Sequence, residues 1–164
     1  MERRVVVRGL VRGTSPRELT ELISSFERYP GYTPTVISVD TEQVDNGHKR
    51  SAWAIKFQDG ILKWVQDERV ELDESRIVFK SVSGDFKSLE GEWSASPVGD
   101  DSEVTFDVTF VSGLGTLSEV VDPIAERILR EDFEVIMRAV IGDDLELLTE
   151  ETHAGADTGE GGLR

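Results

Sequence analysis

The residues most able to do chemistry in this chain are Gln66 and Glu68, with Ser51 and Ser81 near them in the pattern. Gln66 and Glu68 fall at alternate positions of an alternating segment, WVQDERVEL, in register with Trp64. That phase puts a carboxyl, an amide and two hydroxyls on the face that also carries the large apolar groups. A carboxyl buried there has a raised pKa and exchanges protons near neutrality, which suits general acid–base work. An apolar concavity with a few convergent polar groups is also the usual form of a ligand pocket. Two readings of the polar groups stand: a functional set, or a wetted rim of the sheet. The tryptophans likewise read either as core or as a ligand platform.

Other chemistries find little support. His48 and His153 are the only histidines, one beside a turn and one in the tail, so neither a His-centred metal site nor a triad is expected. Cysteine is absent, which excludes disulfides, thiolate metal sites and a cysteine nucleophile. Gly113-Leu114-Gly115 lacks a third glycine and a βαβ context, so it is a poor dinucleotide loop. No metal and no cofactor are expected.

The 164 residues carry 18 Lys+Arg against 33 Asp+Glu, a net charge of −15. Such a field repels phosphate backbones and anionic membrane surfaces, so neither nucleic acid nor membrane is an expected partner. The N-terminal MERRVVVRGLVRG is interrupted by Arg8 and Arg12 and does not read as a signal peptide. No apolar run approaches the roughly 20 residues of a membrane helix. The sequence places the protein in the cytoplasm.

The positioning elements follow from the periodicities. Residues 3–12 are Val-rich and read as a strand. Thr14 or Ser15 can cap a helix over about 16–23, with Pro16 in its first turn. A short helical or turn segment, FERYPGYTP, follows. Strands are expected at 35–44, 47–57, 62–72, 76–83, 87–96 and 103–111, with Asn46-Gly47 and Asp59-Gly60 as hairpin turns. Short connections imply antiparallel pairing. A long helix is expected from 122 to about 149, with Asp122 as N-cap, Pro123 at N1 and Gly142 as a break or kink. Leu129, Phe133, Ile136, Val140 and Leu147 form its apolar stripe, while Arg127, Arg130 and Arg138 pair with Glu131 and Glu134 on the other side. The tail from 152 is Gly-rich and polar and reads as disordered. Residues 1–150 form one domain.

Hairpin arithmetic gives the inner face. A turn at Asp59-Gly60 pairs Phe57 with Leu62, Ile55 with Trp64, Trp53 with Gln66 and Ser51 with Glu68. A loop at 84–86 pairs Ser81 with Leu89, Phe79 with Gly91 and Ile77 with Trp93, and sets Lys80 beside Glu90. A four-residue loop after Leu72 brings Glu68 opposite Ser81, making one row of Ser51, Glu68 and Ser81. Trp53, Ile55, Trp64, Phe79, Trp93 and Phe106 share that face.

The order of one strand, two short helices, six strands and a long C-terminal helix resembles the helix-grip fold of the START-like (SRPBCC) superfamily, which includes polyketide cyclases and dehydrases. The segments that carry the likeness are FERYPGYTPTVISV, WVQDERVELDESRIVFKSVSGDFKSLEGEW and LSEVVDPIAERILREDFEVIMRAV. The resemblance implies an α+β domain, with a curved antiparallel seven-stranded sheet wrapped around the last helix and an internal apolar cavity. It points to the aromatase/cyclases, which fold a poly-β-keto chain, tethered to an acyl carrier protein, for aldol closure and loss of water. On that likeness Gln66, Glu68 and Arg69 are the catalytic candidates, although the pairing sets Arg69 on the outer face unless a one-residue bulge turns it inward. Trp53, Trp64, Phe79, Ser81, Trp93, Phe106, Tyr29, Tyr32, Ser51 and Met137 would line the substrate site. A non-catalytic binder or carrier of a lipid or quinone is the alternative, and a homodimer is compatible with either. An acyl carrier protein is itself acidic, so docking requires a local basic patch. Arg3, Arg4, Arg8 and Arg12 or the Arg127–Arg130 turn are the candidates.

Overall fold

The computed structural model describes residues 2–113 and 118–148. Leu114-Gly115, His153 and the tail expected to be disordered lie outside them. Strand β1 (Arg3–Val11) is followed by helix α1 (Pro16–Ser24), a 3-10 turn (Phe26–Arg28) and the single-turn helix α2 (Tyr29–Tyr32). Six strands come next: β2 (Val36–Asp45), β3 (His48–Phe57), β4 (Gly60–Glu71), β5 (Arg76–Gly84), β6 (Phe86–Val98) and β7 (Asp101–Ser112). Helix α3 (Ser118–Ile141) and a short β8 (Leu145–Leu148) complete the described chain.

The strands form one antiparallel sheet in the order β2-β3-β4-β5-β6-β7-β1-β8. Helix α3 touches β3 toward one side and β1, β7 and β8 toward the other, so the sheet curls around it. Local chemistry explains the first turn of α1. Ser15 caps it, accepting from the Glu18 amide while Glu18 reaches back to the Ser15 amide, and Pro16 occupies the first turn. Alternation along β1 and β7 buries Val5, Val7, Val104, Phe106, Val108 and Phe110. It also turns Arg4 outward, where it forms a two-point bond with Asp107.

Several expectations need correction. The sheet has eight strands, not seven, because the helix stops early. Gly142 takes φ 92 and its amide bonds the Arg138 carbonyl at 2.9 Å, which ends α3 and frees Leu145–Leu148 to pair with β1. Leu147 therefore lies in a strand and not on the helical stripe. The helix also begins earlier, at Ser118, so Pro123 is inside it and Asp122 is no cap but a buried carboxyl, 2% exposed. Arg130, expected on the solvated side of the helix, reaches β1 and Glu126. Its Nη1 donates to the Val6 carbonyl at 2.8 Å, and Nη2 lies 3.9 Å from Glu126. Among the described residues, β8 pairs with Arg8–Val11 of β1, short of Val6.

The β3–β4 hairpin turns at Gln58-Asp59, with Gln58 at φ 53, and Phe57 faces Gly60. The pairs therefore slip by two residues from those expected: Trp53 meets Trp64, Ser51 meets Gln66 and Lys49 meets Glu68. A slip of two keeps every side chain on its face, whereas a slip of one would invert the sheet. This register brings the two indoles together as direct cross-strand partners. The β4–β5 pairing contains a bulge at Val82, so Ser81 lies opposite Gln66, and Glu68 lies opposite Phe79. The expected row of Ser51, Glu68 and Ser81 is in fact Ser51, Gln66 and Ser81. The β5–β6 pairs Ile77–Trp93, Phe79–Gly91 and Lys80–Glu90 form as expected.

Candidate functional site

Strand β4 places Trp64, Gln66 and Glu68 at alternate positions, so all three point inward, and each is under 5% exposed. Their polar atoms form one chain. The Trp64 Nε1–H donates to Gln66 Oε1 at 2.8 Å, and Gln66 Nε2 donates to Glu68 Oε2 at 2.7 Å. From the neighbouring strand, Ser51 Oγ donates to Glu68 Oε1 at 2.9 Å, and Thr41 Oγ1 on β2 lies 3.0 Å from Ser51 Oγ. Because Ser51 gives its proton to the carboxylate, Thr41 is the donor to Ser51. Every bond in the network runs toward Glu68. A carboxylate accepts without donating, so donors from Gln66 and Ser51 favour the charged form of Glu68.

Two effects oppose each other on that carboxyl. Burial raises the Glu68 pKa and is the larger. The bonds from Gln66 and Ser51 and the positive charge of Lys49 pull it down. The Trp53 indole N–H is close enough to favour the charged carboxylate, yet it has no acceptor in hydrogen-bonding geometry. Trp53 Nε1 is thus a buried donor left unsatisfied.

Aromatic rings enclose the space beside the network. Trp53 and Trp64 stack with 5.6 Å between centroids and 7° between planes. Phe106 stacks on Phe79 at 5.9 Å and on Phe133 of α3 at 4.1 Å, and Trp93 leans on Phe106 at 4.7 Å. Between these groups lies a cavity of about 20 Å³, walled also by Gln66, Leu89, Val108 and Leu129. That is room for about one water, since a single probe sphere occupies roughly 10–15 Å³. The ligand-sized hollow expected from the sequence is thus closed in this conformation, filled by the Phe79–Phe106–Phe133 stack. All three indoles do border one cavity.

The expected site residues divide accordingly. Trp53, Trp64, Gln66, Phe79, Trp93 and Phe106 meet at the cavity. Ser51 and Glu68 are buried directly behind Gln66, and Ser81 is half-buried opposite it. Tyr29 is fully buried with its hydroxyl donated to the Ile23 carbonyl at 2.6 Å, and burial raises its pKa well above the usual phenol value. It buttresses Trp53 edge-on and does not border the cavity. Met137 is buried on α3 and likewise absent from the cavity wall. Two expectations fail on placement. Tyr32 is 42% exposed. Arg69 is exposed on the outer face, because the β4–β5 bulge inserts its extra residue, Val82, into β5 and leaves the alternation of β4 unbroken through Arg69.

Thr41 and Lys49 were missed. Both follow from continuing the β3 alternation two residues past Ser51 and one strand outward. Phe133 and Leu129 sat on the apolar stripe already, without being assigned to the site. Among the described residues no group of three potential metal ligands occurs, and no helix is long and apolar enough to cross a membrane.

Residues 14–134 match the family described as "Polyketide cyclase / dehydrase and lipid transport". No curated protein matches the sequence significantly. Among solved structures, the protein TTHA0849 of Thermus thermophilus is 20% identical, with a TM-score of 0.78 over 84% of this chain and 94% of its own. The Zhui aromatase/cyclase from Streptomyces sp. R1128 is 14% identical, with a TM-score of 0.76 over 86% of this chain and 92% of its own. Major latex-like protein 151 of Panax ginseng is 15% identical, with a TM-score of 0.66 over 85% and 95%. At these identities the likeness is one of fold, the helix-grip α+β fold.

Proposed function

Because the chain belongs to the polyketide cyclase / dehydrase and lipid transport family, we propose that it closes a hydrophobic, carbonyl-bearing small molecule between the sheet and α3 and acts as an aromatase/cyclase. Its substrate is a poly-β-keto chain in aromatic polyketide biosynthesis, and its place is the cytoplasm. The observation that carries this reading is the one-way run of donors ending on buried Glu68, one residue behind the cavity wall.

The chemistry requires little more. A methylene between two carbonyls is already acidic, and confinement in a near-attack conformation supplies much of the rate. Glu68 takes the methylene proton while the Gln66 amide, whose second N–H is free of Glu68, holds the enolate oxygen. The enolate carbon bonds to a second carbonyl carbon, and the resulting alkoxide recovers the proton from Glu68. A second proton transfer to Glu68, with loss of the hydroxyl as water on its return, leaves the conjugated ring. Ligand pockets run to roughly 300 Å³ or more, so binding opens α3 away from the aromatic stack.

The substrate arrives free or on an acyl carrier protein. Three arginines of the expected basic patch are already spent on carboxylates: Arg3 on Glu126, Arg4 on Asp107 and Arg8 on Glu103. Arg12 and Arg127, both exposed, remain for docking of a carrier. A second reading, a non-catalytic carrier of a hydrophobic ligand, is favoured by one observation: Glu68 does not border the cavity and Gln66 does. Product analysis on a poly-β-ketone, with and without the protein, separates the two, because a carrier alters solubility but not the ring pattern. A Glu68→Gln protein that keeps full cyclisation would remove the catalytic reading.

A further inference from the structure

The rim of the site carries a cation that the proposed chemistry leaves unused. Lys49 stands on the inner face of β3 directly opposite Glu68 in the ladder, where opposed Cβ atoms are about 5 Å apart. Its Nζ donates to the Ser24 carbonyl at 3.2 Å, at the last residue of α1. A carbonyl at a helix C-terminus has no intrahelical partner and sits at the negative end of the helix dipole, so a cation is favoured there. On its outward side Lys49 borders a surface groove of about 580 Å³, with Arg17, Gln43, Gly47 and Val70. Water reaches Lys49, and Glu68 lies behind it at 1% exposure.

We propose that Lys49 is a positioning residue: tethered to the end of α1, it holds a positive charge beside Glu68 from the rim and favours the ionised carboxylate. The inference rests on the reading of Glu68 as the proton-exchanging group. The surroundings leave Lys49 this role among the described residues. From α2 the ionisable neighbour is Tyr29, held neutral by burial and by its bond to Ile23. Strand β2 contributes the uncharged Thr41 through Ser51, and β5 places Phe79 opposite Glu68. On β4 itself Asp67 and Arg69 point to the outer face, where Asp67 pairs with Arg50. On α3 the carboxyl of Asp132 is shifted by its own burial and by Glu131. The charge of Lys49 favours the ionised Glu68, while burial acts against it.

The test needs no substrate. In protein labelled with 13C-glutamate, the Glu68 carboxyl resonance is assigned by its loss in Glu68→Gln and titrated by NMR. Lys49→Met keeps the stem and removes the charge, so the Glu68 acid dissociation constant should fall about threefold, with the midpoint moving upward. Lys49→Arg should leave it in place. Lys49→Gln keeps a donor for the Ser24 carbonyl but no charge, so it should behave like Lys49→Met, which separates charge from tether and serves if the methionine variant does not fold. A folded Lys49→Met or Lys49→Gln protein with an unmoved midpoint overturns the proposal. A moved midpoint in a protein that cyclises nothing sinks the catalytic reading and leaves the role of Lys49 standing.

Discussion

The indoles of Trp53 and Trp64 lie parallel, 7° apart with 5.6 Å between centroids, because the two residues are direct partners across β3 and β4. Trp53 also meets Phe26 and Tyr29 edge-on at 5.4 and 5.7 Å, so the stack joins the sheet to the segment after α1. Indoles stacked this close couple their excited states, and a skew of their transition dipoles within the parallel planes makes the coupling optically active. A far-ultraviolet circular dichroism couplet is expected and should vanish in Trp53→Phe and in Trp64→Phe alike. The stability lost in either should stay below the about 3–5 kcal/mol of a Trp→Ala truncation. A couplet that survives both changes would place the coupled pair elsewhere.

Ser51 supplies one of the two hydrogen bonds that Glu68 receives from the network. Ser51→Ala removes a bond that favours the charged form, so the Glu68 pKa, already raised by burial, should rise further. A carboxyl raised in the folded state contributes stability fully present below its unfolded pKa, and that contribution is lost as the pH climbs through the folded value. The penalty of Ser51→Ala should therefore be larger at pH 8 than at pH 4, reaching about 1.5–3 kcal/mol at the alkaline end, the range for a bond to a charged group. Urea unfolding at the two pH values decides it, and equal penalties would mean that Glu68 does not sense Ser51.

What the sequence made legible divides along physical lines. Period-2 alternation fixes the face of each strand residue, so Trp53, Trp64, Gln66 and Glu68 could be grouped before their partners were known. The partners were not legible, because a two-residue slip at Gln58-Asp59 leaves the faces unchanged. Strand β8 was hidden because Leu147 fits the helical stripe as well as it fits a strand. Asp122-Pro123 imitates a helix start inside a helix that begins at Ser118. The size of the cavity depends on rotamers of Phe79, Phe106 and Phe133, which no spacing rule specifies.

Asp132 on α3 is half-buried, with one carboxyl oxygen enclosed and unpartnered, and burial with help from Glu131 lifts its pKa to about 6. The folded protein therefore holds this proton more tightly than the unfolded chain. Stability drawn from it is full at low pH and is lost as the pH rises from the unfolded carboxylate range through about 6. Asp132→Asn removes that loss. The gain should be about 1 kcal/mol at pH 7.5, a figure reduced for the partial exposure of the group, and should shrink to nothing at strongly acid pH. Melting temperatures of the two proteins across that range would show it, and curves parallel at every pH would contradict it.

Phe133 is the point at which α3 closes the site, stacked on Phe106 at 4.1 Å and 12° and bordering the 20 Å³ cavity. Truncation to alanine should cost about 3–5 kcal/mol, since the rigid β-sheet wall relaxes little into the space released. That space merges with the existing cavity beneath the tryptophans. A small planar probe such as 1-naphthol should then enter the variant and restore stability as RT ln(1 + [L]/Kd), about 2.7 kcal/mol at a hundredfold excess over Kd. The same probe should raise the melting temperature of the unmodified protein less, because α3 has to move before it can enter. If Phe133→Ala loses stability and gains no response to the probe, the space beside Gln66 is packing alone and the ligand belongs elsewhere on the fold.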